Sequence, residues 1–341
     1  MSEAERMSDS SPEVAAKFPW PRAAATGIGS VPGVDVVEAQ RIVLGELPDL
    51  PHLPELPARG AGADMIGRGA ALLVELPVEV YAGKWRVASR PGRDLRVARD
   101  FLERDLDALT EQAFQYEGSL KIQAVGPWTL AASLDLQLGG AVLRDPGATR
   151  DLVASLAEGL RAHVADVQAR LPHATVLLQL DEPSLPAVLA GHVLTESGLG
   201  TLRSVSATMA REALGEVIST AGAPVVLHCC APGVPLALLP AAGARAVAVD
   251  LALVDNLDAL GELIDAGVGV FAGVAAAPSA APSVAIAEVV RDMWRKLGFP
   301  LSQLAEQVVV TPPCGLAGTP VDRLKGVLTA YREAGQRLGG E

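Results

Sequence analysis

Cysteine is scarce in this chain, with three among 341 residues. That number is odd and too small for a disulfide framework, so a reducing, cytoplasmic compartment is expected. Positive charge is also in short supply. Twenty-eight Lys and Arg stand against 40 Asp and Glu, a formal net charge of −12, and no long basic run occurs. Nucleic acid is therefore not an expected partner, because phosphate binding needs a basic surface. No apolar stretch reaches about 18 residues without Gly, Pro or charge, so no membrane span is expected. Aromatic residues make up only 4%, which leaves the core to Ala, Val and Leu. Such a core suits a parallel sheet flanked by small-residue helices.

What is present alternates. Strand-like runs at 23–30, 120–125, 175–180, 225–229, 246–249, 268–274 and 308–310 are separated by segments with helical spacing of apolar residues. Asp35 is placed to cap a helix running to about Leu44, which Pro48 ends. Four prolines between Leu47 and Pro57 predict extended chain or loop, and Ala70 to Leu76 reads as a strand or helix-like block. About eight strand–helix units without a break in composition predict an α/β fold, a single-domain (β/α)8 TIM barrel over 21–341. Residues 1–20 are polar and acidic, lack the pattern of a signal peptide, and are expected to form a flexible N-terminal tail. An open doubly wound sheet is the alternative, but Gly27-Ile28-Gly29 does not continue into a dinucleotide-binding pattern.

Chemistry-bearing residues gather at the strand ends. Val225-Val226-Leu227 runs into His228-Cys229-Cys230, and Val308-Val309-Val310 leads to Cys314. In a parallel barrel these carboxyl ends carry the active site. His-x-Cys at one end and a lone Cys at another match what a catalytic zinc takes as ligands. The plain alternative is that all three thiols are packing. Period-two alternation turns Cys229 away from its neighbours, and it is expected to be core. Ser30, Asp181, Glu182 and Asp250 complete the polar inventory. His52, His163, His173 and His192 are expected on loops or solvated faces, the four tryptophans in packing, and Glu103, Asp105 and Asp107 on a solvated helix face.

These residues together resemble the carboxyl-terminal catalytic half of cobalamin-independent methionine synthase, within the uroporphyrinogen decarboxylase-like barrel superfamily. The resemblance spans Ala23 to Leu338, as a short, single-barrel version. It implies a methyltransferase in which zinc is held by His228, Cys230, Asp250 (where the family has Glu) and Cys314. The last lies in Pro312-Pro313-Cys314-Gly315-Leu316, close to the family's Pro-Asp-Cys-Gly-Leu. It further implies that Ile28, Gly29 and Ser30 hold the carboxylate of homocysteine and that Asp181 binds its ammonium, with Glu55 as a second candidate. One departure stands out: the family's Asp-x-His after the seventh strand is missing from Val270-Phe271-Ala272-Gly273-Val274-Ala275. The loss falls on the methyl-donor side. It points to a methylcorrinoid, free or on a corrinoid carrier protein, in place of folate polyglutamate. Two other readings stay open: a zinc- and thiol-binding paralogue without methyl transfer, and a decarboxylase on the same barrel, which would want an arginine cluster.

Overall fold

The computed structural model describes residues 18–275 and 282–340. A small antiparallel hairpin, β1 (Val78–Tyr81) and β2 (Lys84–Val87), stands apart from the main sheet. That sheet has six parallel strands in sequential order: β3 (Gly118–Val125), β4 (Ala174–Asp181), β5 (Val225–Cys229), β6 (Ala246–Asp250), β7 (Gly269–Gly273) and β8 (Val308–Thr311). Helices fill the crossovers, the longest being Pro146–Arg170. That helix starts where the sequence dictates: Pro146 at its first position presets φ, and the Asp145 carboxylate accepts from the N–H groups of Gly147 and Ala148. Its buried residues Leu152, Leu156 and Leu160 recur every four positions and form one face against the sheet. Asp35 likewise caps Val36–Glu46 through the N–H groups of Val37 and Glu38.

The curled sheet is completed by two extended segments too irregular to count as strands. Thr26 N–H donates to Val310 O and Val310 N–H to Ala24 O, joining the first segment to β8. Leu53 N–H donates to Lys121 O and Lys121 N–H to Pro51 O, joining the second to β3. Glu55 N–H to Gly29 O and Val31 N–H to Glu55 O join the two segments to each other. The expected eight-fold ring is therefore present, with the proline-rich stretch as its second stave. Pro51 and Pro54, beside the bridged residues His52 and Glu55, have no N–H to give to a ladder, and only isolated bridges form at this position. The block at Ala70 to Leu76, expected as strand or helix, belongs to the helix Met65–Leu72 and its end.

Several expectations are corrected by burial. Phe18 and Trp20, placed in the tail, are buried and plug the amino end of the barrel. Trp20 stacks on Phe18 at 5.0 Å and meets Phe271 edge-on at 5.2 Å. A Cβ at Gly269 would overlap its indole, so β7 begins with glycine. Residues 1–17 lie outside the described residues. His52 and His163, expected in solvent, are buried, as is Asp105, whereas Glu103 and Asp107 are exposed as expected. Helical periodicity does place Asp105 beside Leu102 and Leu109 on the inner face, and two arginines pay for its burial there. Arg59 reaches it at 2.7 and 2.8 Å, and Arg68 adds a third contact. All four tryptophans are packed, as expected.

Candidate metal centre

Strand β5 carries the first donors. Alternation along it turns Cys229 outward into the helix layer, where it is 1% exposed and burial pushes its thiol up to about 11. His228 and Cys230 face the other way. Cys314 follows β8 after the Thr311-Pro312-Pro313 turn. Donor atoms of His228, Cys230 and Cys314 all lie within 4.8 Å of one another, and the two Sγ atoms are 3.4 Å apart. His228 Nδ1 sits 3.2 Å from Ala248 O. A proton on Nδ1 donated to that carbonyl leaves the Nε2 lone pair for a ligand role, the usual orientation of a metal-binding imidazole.

The electrostatics agree with a cation site. The contact with Cys230 and the neighbouring His228 imidazole bring the Cys314 thiol down to about 4, against the opposing effect of burial. Cys230 moves up in return, because the two sulfurs share one proton and the second ionisation faces an existing thiolate. A divalent ion would relieve that repulsion. The donor set fits zinc: one imidazole and two thiolates make three protein ligands, the number common in catalytic zinc sites. Two thiolates on one tetrahedral zinc would sit about 3.8 Å apart, a small opening from the distance present.

Asp250, the expected fourth ligand, is not among the converged atoms. Its Oδ1 accepts from Ala252 N–H at 3.0 Å and caps the single turn Leu251–Leu253. With one methylene fewer than Glu, the carboxylate is kept beside its own backbone.

The remaining expected residues do assemble. A cavity of about 310 Å³ is lined by Ile28, Gly29, Ser30, Glu55, Asp181, His228, Cys230 and Cys314, together with Pro57, Met65, Pro183 and Gly315. A Cβ on Gly315 would overlap Ser30 Oγ, so glycine after Cys314 is what lets the β8 turn close on the first segment. Asp181 ends β4; its Oδ1 accepts from Gln179 Nε2 at 2.7 Å. Burial raises its carboxyl to about 7, opposed by His228 and Lys121. Glu55 Oε1 accepts from Arg68 Nε and Gln123 Nε2, both at 3.2 Å. Arg68 is in turn anchored by Asp105, so the helix Arg93–Ala113 fixes a pocket carboxylate through two ion pairs.

Glu182 is not part of the pocket lining. It is fully buried and accepts from Trp128 N–H at 2.9 Å, Thr129 N–H at 2.7 Å and Thr129 Oγ at 2.7 Å, tying the end of β4 to the helix Pro127–Ser133. A Cβ on Gly126 would collide with it, which accounts for Gly126-Pro127. Sequence reasoning passed over the polar residues beneath the pocket: Arg68, Lys121, Gln123 and Gln179. The available signal was period two, since Lys121 and Gln123 on β3, and Gln179 and Asp181 on β4, are alternate polar positions in otherwise apolar strands. Burial lowers the Lys121 ammonium to about 7, while Asp181 and Glu55 hold it up.

A family profile described as cobalamin-independent synthase, catalytic domain, matches residues 23–337. Among solved structures, a B12-independent methionine synthase from Shewanella sp. W3-18-1, in complex with selenomethionine, aligns with a TM-score of 0.63 and 13% identity, covering 94% of this chain and 98% of that one. A putative dihydrodipicolinate synthetase from Pseudomonas aeruginosa aligns at only 0.38, with 10% identity over 92% of this chain and 80% of the other. Among curated proteins, none matches.

Proposed function

Because the chain belongs to the cobalamin-independent methionine synthase family through its catalytic domain, we propose that it is a zinc-dependent methyltransferase that converts homocysteine, or a closely similar amino-acid thiol, to methionine or its analogue. One observation carries this reading: two thiols and an imidazole converge on the same small cavity that two carboxylates and the Ile28–Ser30 turn line. His228, Cys230 and Cys314 would hold the zinc. When bound there, it would keep a substrate thiol as thiolate at neutral pH.

The chain's own residues do the positioning. Asp181 and Glu55 each have one oxygen committed to neighbours, Gln179 for the first, Arg68 and Gln123 for the second. Their other oxygens are left for a substrate ammonium, which favours the ionised form of Asp181 that burial disfavours. Gly29 N–H, Ser30 N–H and the Ser30 hydroxyl have no partner among the described residues and suit a carboxylate. Pro57, Met65 and Pro183 give the cavity apolar walls that limit water around the thiol. A cavity of this size suits an amino acid. The Shewanella protein, solved with selenomethionine, lends support by analogy of fold.

The methylcorrinoid donor and its carrier protein draw no support from a family described as cobalamin-independent. The proposal therefore rests on the acceptor half, and the assay decides the donor. A second reading, a thiol-binding paralogue without methyl transfer, is favoured by one observation: from Gly273 through Ala281 the sequence after β7 has neither an acid nor a histidine. The pocket lining contains no arginine, which speaks against decarboxylation of polycarboxylates.

X-ray absorption at the zinc edge tests the acceptor half. The expected result is two sulfur ligands per zinc, rising to three when homocysteine is added. A sulfur count that ignores homocysteine would overturn the assignment. Methionine formation, assayed with methylfolate and methylcobalamin side by side, then separates enzyme from paralogue.

A further inference from the structure

The most unusual group in the barrel interior is Lys121, fully buried on β3 and outside the lining of the pocket. Lysine is rarely buried without a specific task for its donors. Its Nζ donates to Ile28 O at 2.8 Å and to Gln123 Oε1 at 3.3 Å. Gln179 on β4 approaches the same Ile28 carbonyl, its Nε2 at 2.9 Å, while also donating to Asp181 Oδ1 at 2.7 Å. One backbone oxygen is thus gripped by two buried side chains from adjacent strands.

From this clamp we propose that Lys121 and Gln179 are positioning residues that make the pocket selective for the carboxylate of an α-amino-acid thiol; the inference rests on the acceptor reading above. The Ile28–Gly29 peptide links the clamp to the cavity. No described peptide bond is cis, and in a planar trans peptide the C=O and the following N–H point in opposite directions. Pulling Ile28 O down into the barrel aims Gly29 N–H away from the clamp, toward the cavity that Ile28, Gly29 and Ser30 line. Gly29 N–H and Ser30 N–H donate to no described group. Donation to a carbonyl also polarises the amide and strengthens its N–H as a donor. The clamp does not require charge, because ammonium and neutral amine both donate.

Gln179 gives the arrangement a second consequence. A single side-chain amide touches the peptide that would bind the carboxylate and the Asp181 oxygen beside the ammonium site. It therefore sets the spacing between the two subsites, and that spacing selects an α-amino acid over a simple thiol. Close packing reinforces the register, since a Cβ on Gly29 would stand 2.8 Å from Gln123 Cγ.

Calorimetry on zinc-loaded protein tests this with two probes: homocysteine, and 3-mercaptopropylamine, which keeps the thiol and ammonium but has no carboxylate. In the parent protein homocysteine should bind more tightly. Lys121→Met should shrink that preference by about fivefold, the value of one lost hydrogen bond, while leaving 3-mercaptopropylamine within about twofold. A purely structural role would weaken both thiols alike and leave the ratio unchanged, which would overturn the proposal. Lys121→Gln, a polar side chain too short to reach Ile28 O, should collapse the ratio in the same way and serves if the methionine variant does not fold. A parent protein that binds neither thiol would sink the acceptor reading itself, an outcome visible before any variant is made.

Discussion

Glu182 shows how a buried acid in this chain can act structurally and still respond to pH. Three donors hold its carboxylate, yet burial raises its pKa from 4.5 to about 7. Between those values the folded chain keeps a proton that the unfolded chain has released, so this residue's contribution to stability falls as pH rises. Buried His163, lowered to about 4, acts in the opposite sense, so total stability is an ambiguous readout. The difference between parent and Glu182→Gln isolates the site. The variant loses one acceptor, a penalty of about 1–3 kcal/mol. Urea denaturation of the metal-free protein should show that penalty shrinking from pH 5.5 to pH 8, by an amount on the order of 1–2 kcal/mol. A penalty constant across this range would refute the raised pKa. The strand-end positions of Asp181, His228, Cys230 and Cys314 were legible in sequence because each terminates an apolar run. Glu182's partner, the Trp128–Thr129 backbone, lies 53 and 54 residues away and leaves no local trace. For Asp105 the trace is partial: helical periodicity puts it on the inner face with Leu102 and Leu109, but the arginines that let a carboxylate stay there, Arg59 and Arg68, lie far away in sequence.

At the scale of elements, β3 to β8 could be read from short, mostly apolar runs, rich in valine in β5, β6 and β8, as suits strands covered on both faces. The second stave could not, since its prolines spell loop, and only the partners Lys121 and Gly29 turn it into part of the ring. The amino-terminal plug was missed for a related reason. Trp20 follows a polar stretch, and its contacts with Phe271 and with Glu306 O are made across the whole chain. Alternate small residues, Ala246, Ala248 and Gly269, leave the space it fills. Removing the indole opens a cavity that this rigid barrel end closes poorly. Trp20→Ala should cost about 3–5 kcal/mol in denaturant unfolding while leaving zinc stoichiometry unchanged, because the plug and the candidate metal centre occupy opposite ends of the strands. Loss below about 1 kcal/mol would mean that the plug is peripheral to the fold.

The whole molecule is an acidic barrel with its donor atoms gathered at one end. His228 lies on β5, Cys230 just past its end and Cys314 in the turn after β8, so the centre joins parts of the chain 84 residues apart. A ligand that binds this folded arrangement but not the unfolded chain stabilises by mass action, about 2.7 kcal/mol at a hundredfold excess over its dissociation constant. For a chain of this length, zinc should therefore raise the unfolding temperature by about 4 °C, and a chelator should reverse the rise. Cys230→Ser removes one thiolate and should abolish most of the shift. Homocysteine should add a further increment in the parent only when zinc is present, because its sulfur needs the metal while its amino-acid end needs Asp181 and the Ile28–Ser30 turn. Equal shifts in parent and variant would assign the zinc effect to the acidic surface, which with a net charge of −12 offers many weak sites. An increment from homocysteine without zinc would separate the amino-acid subsite from the thiol site and require a different acceptor chemistry.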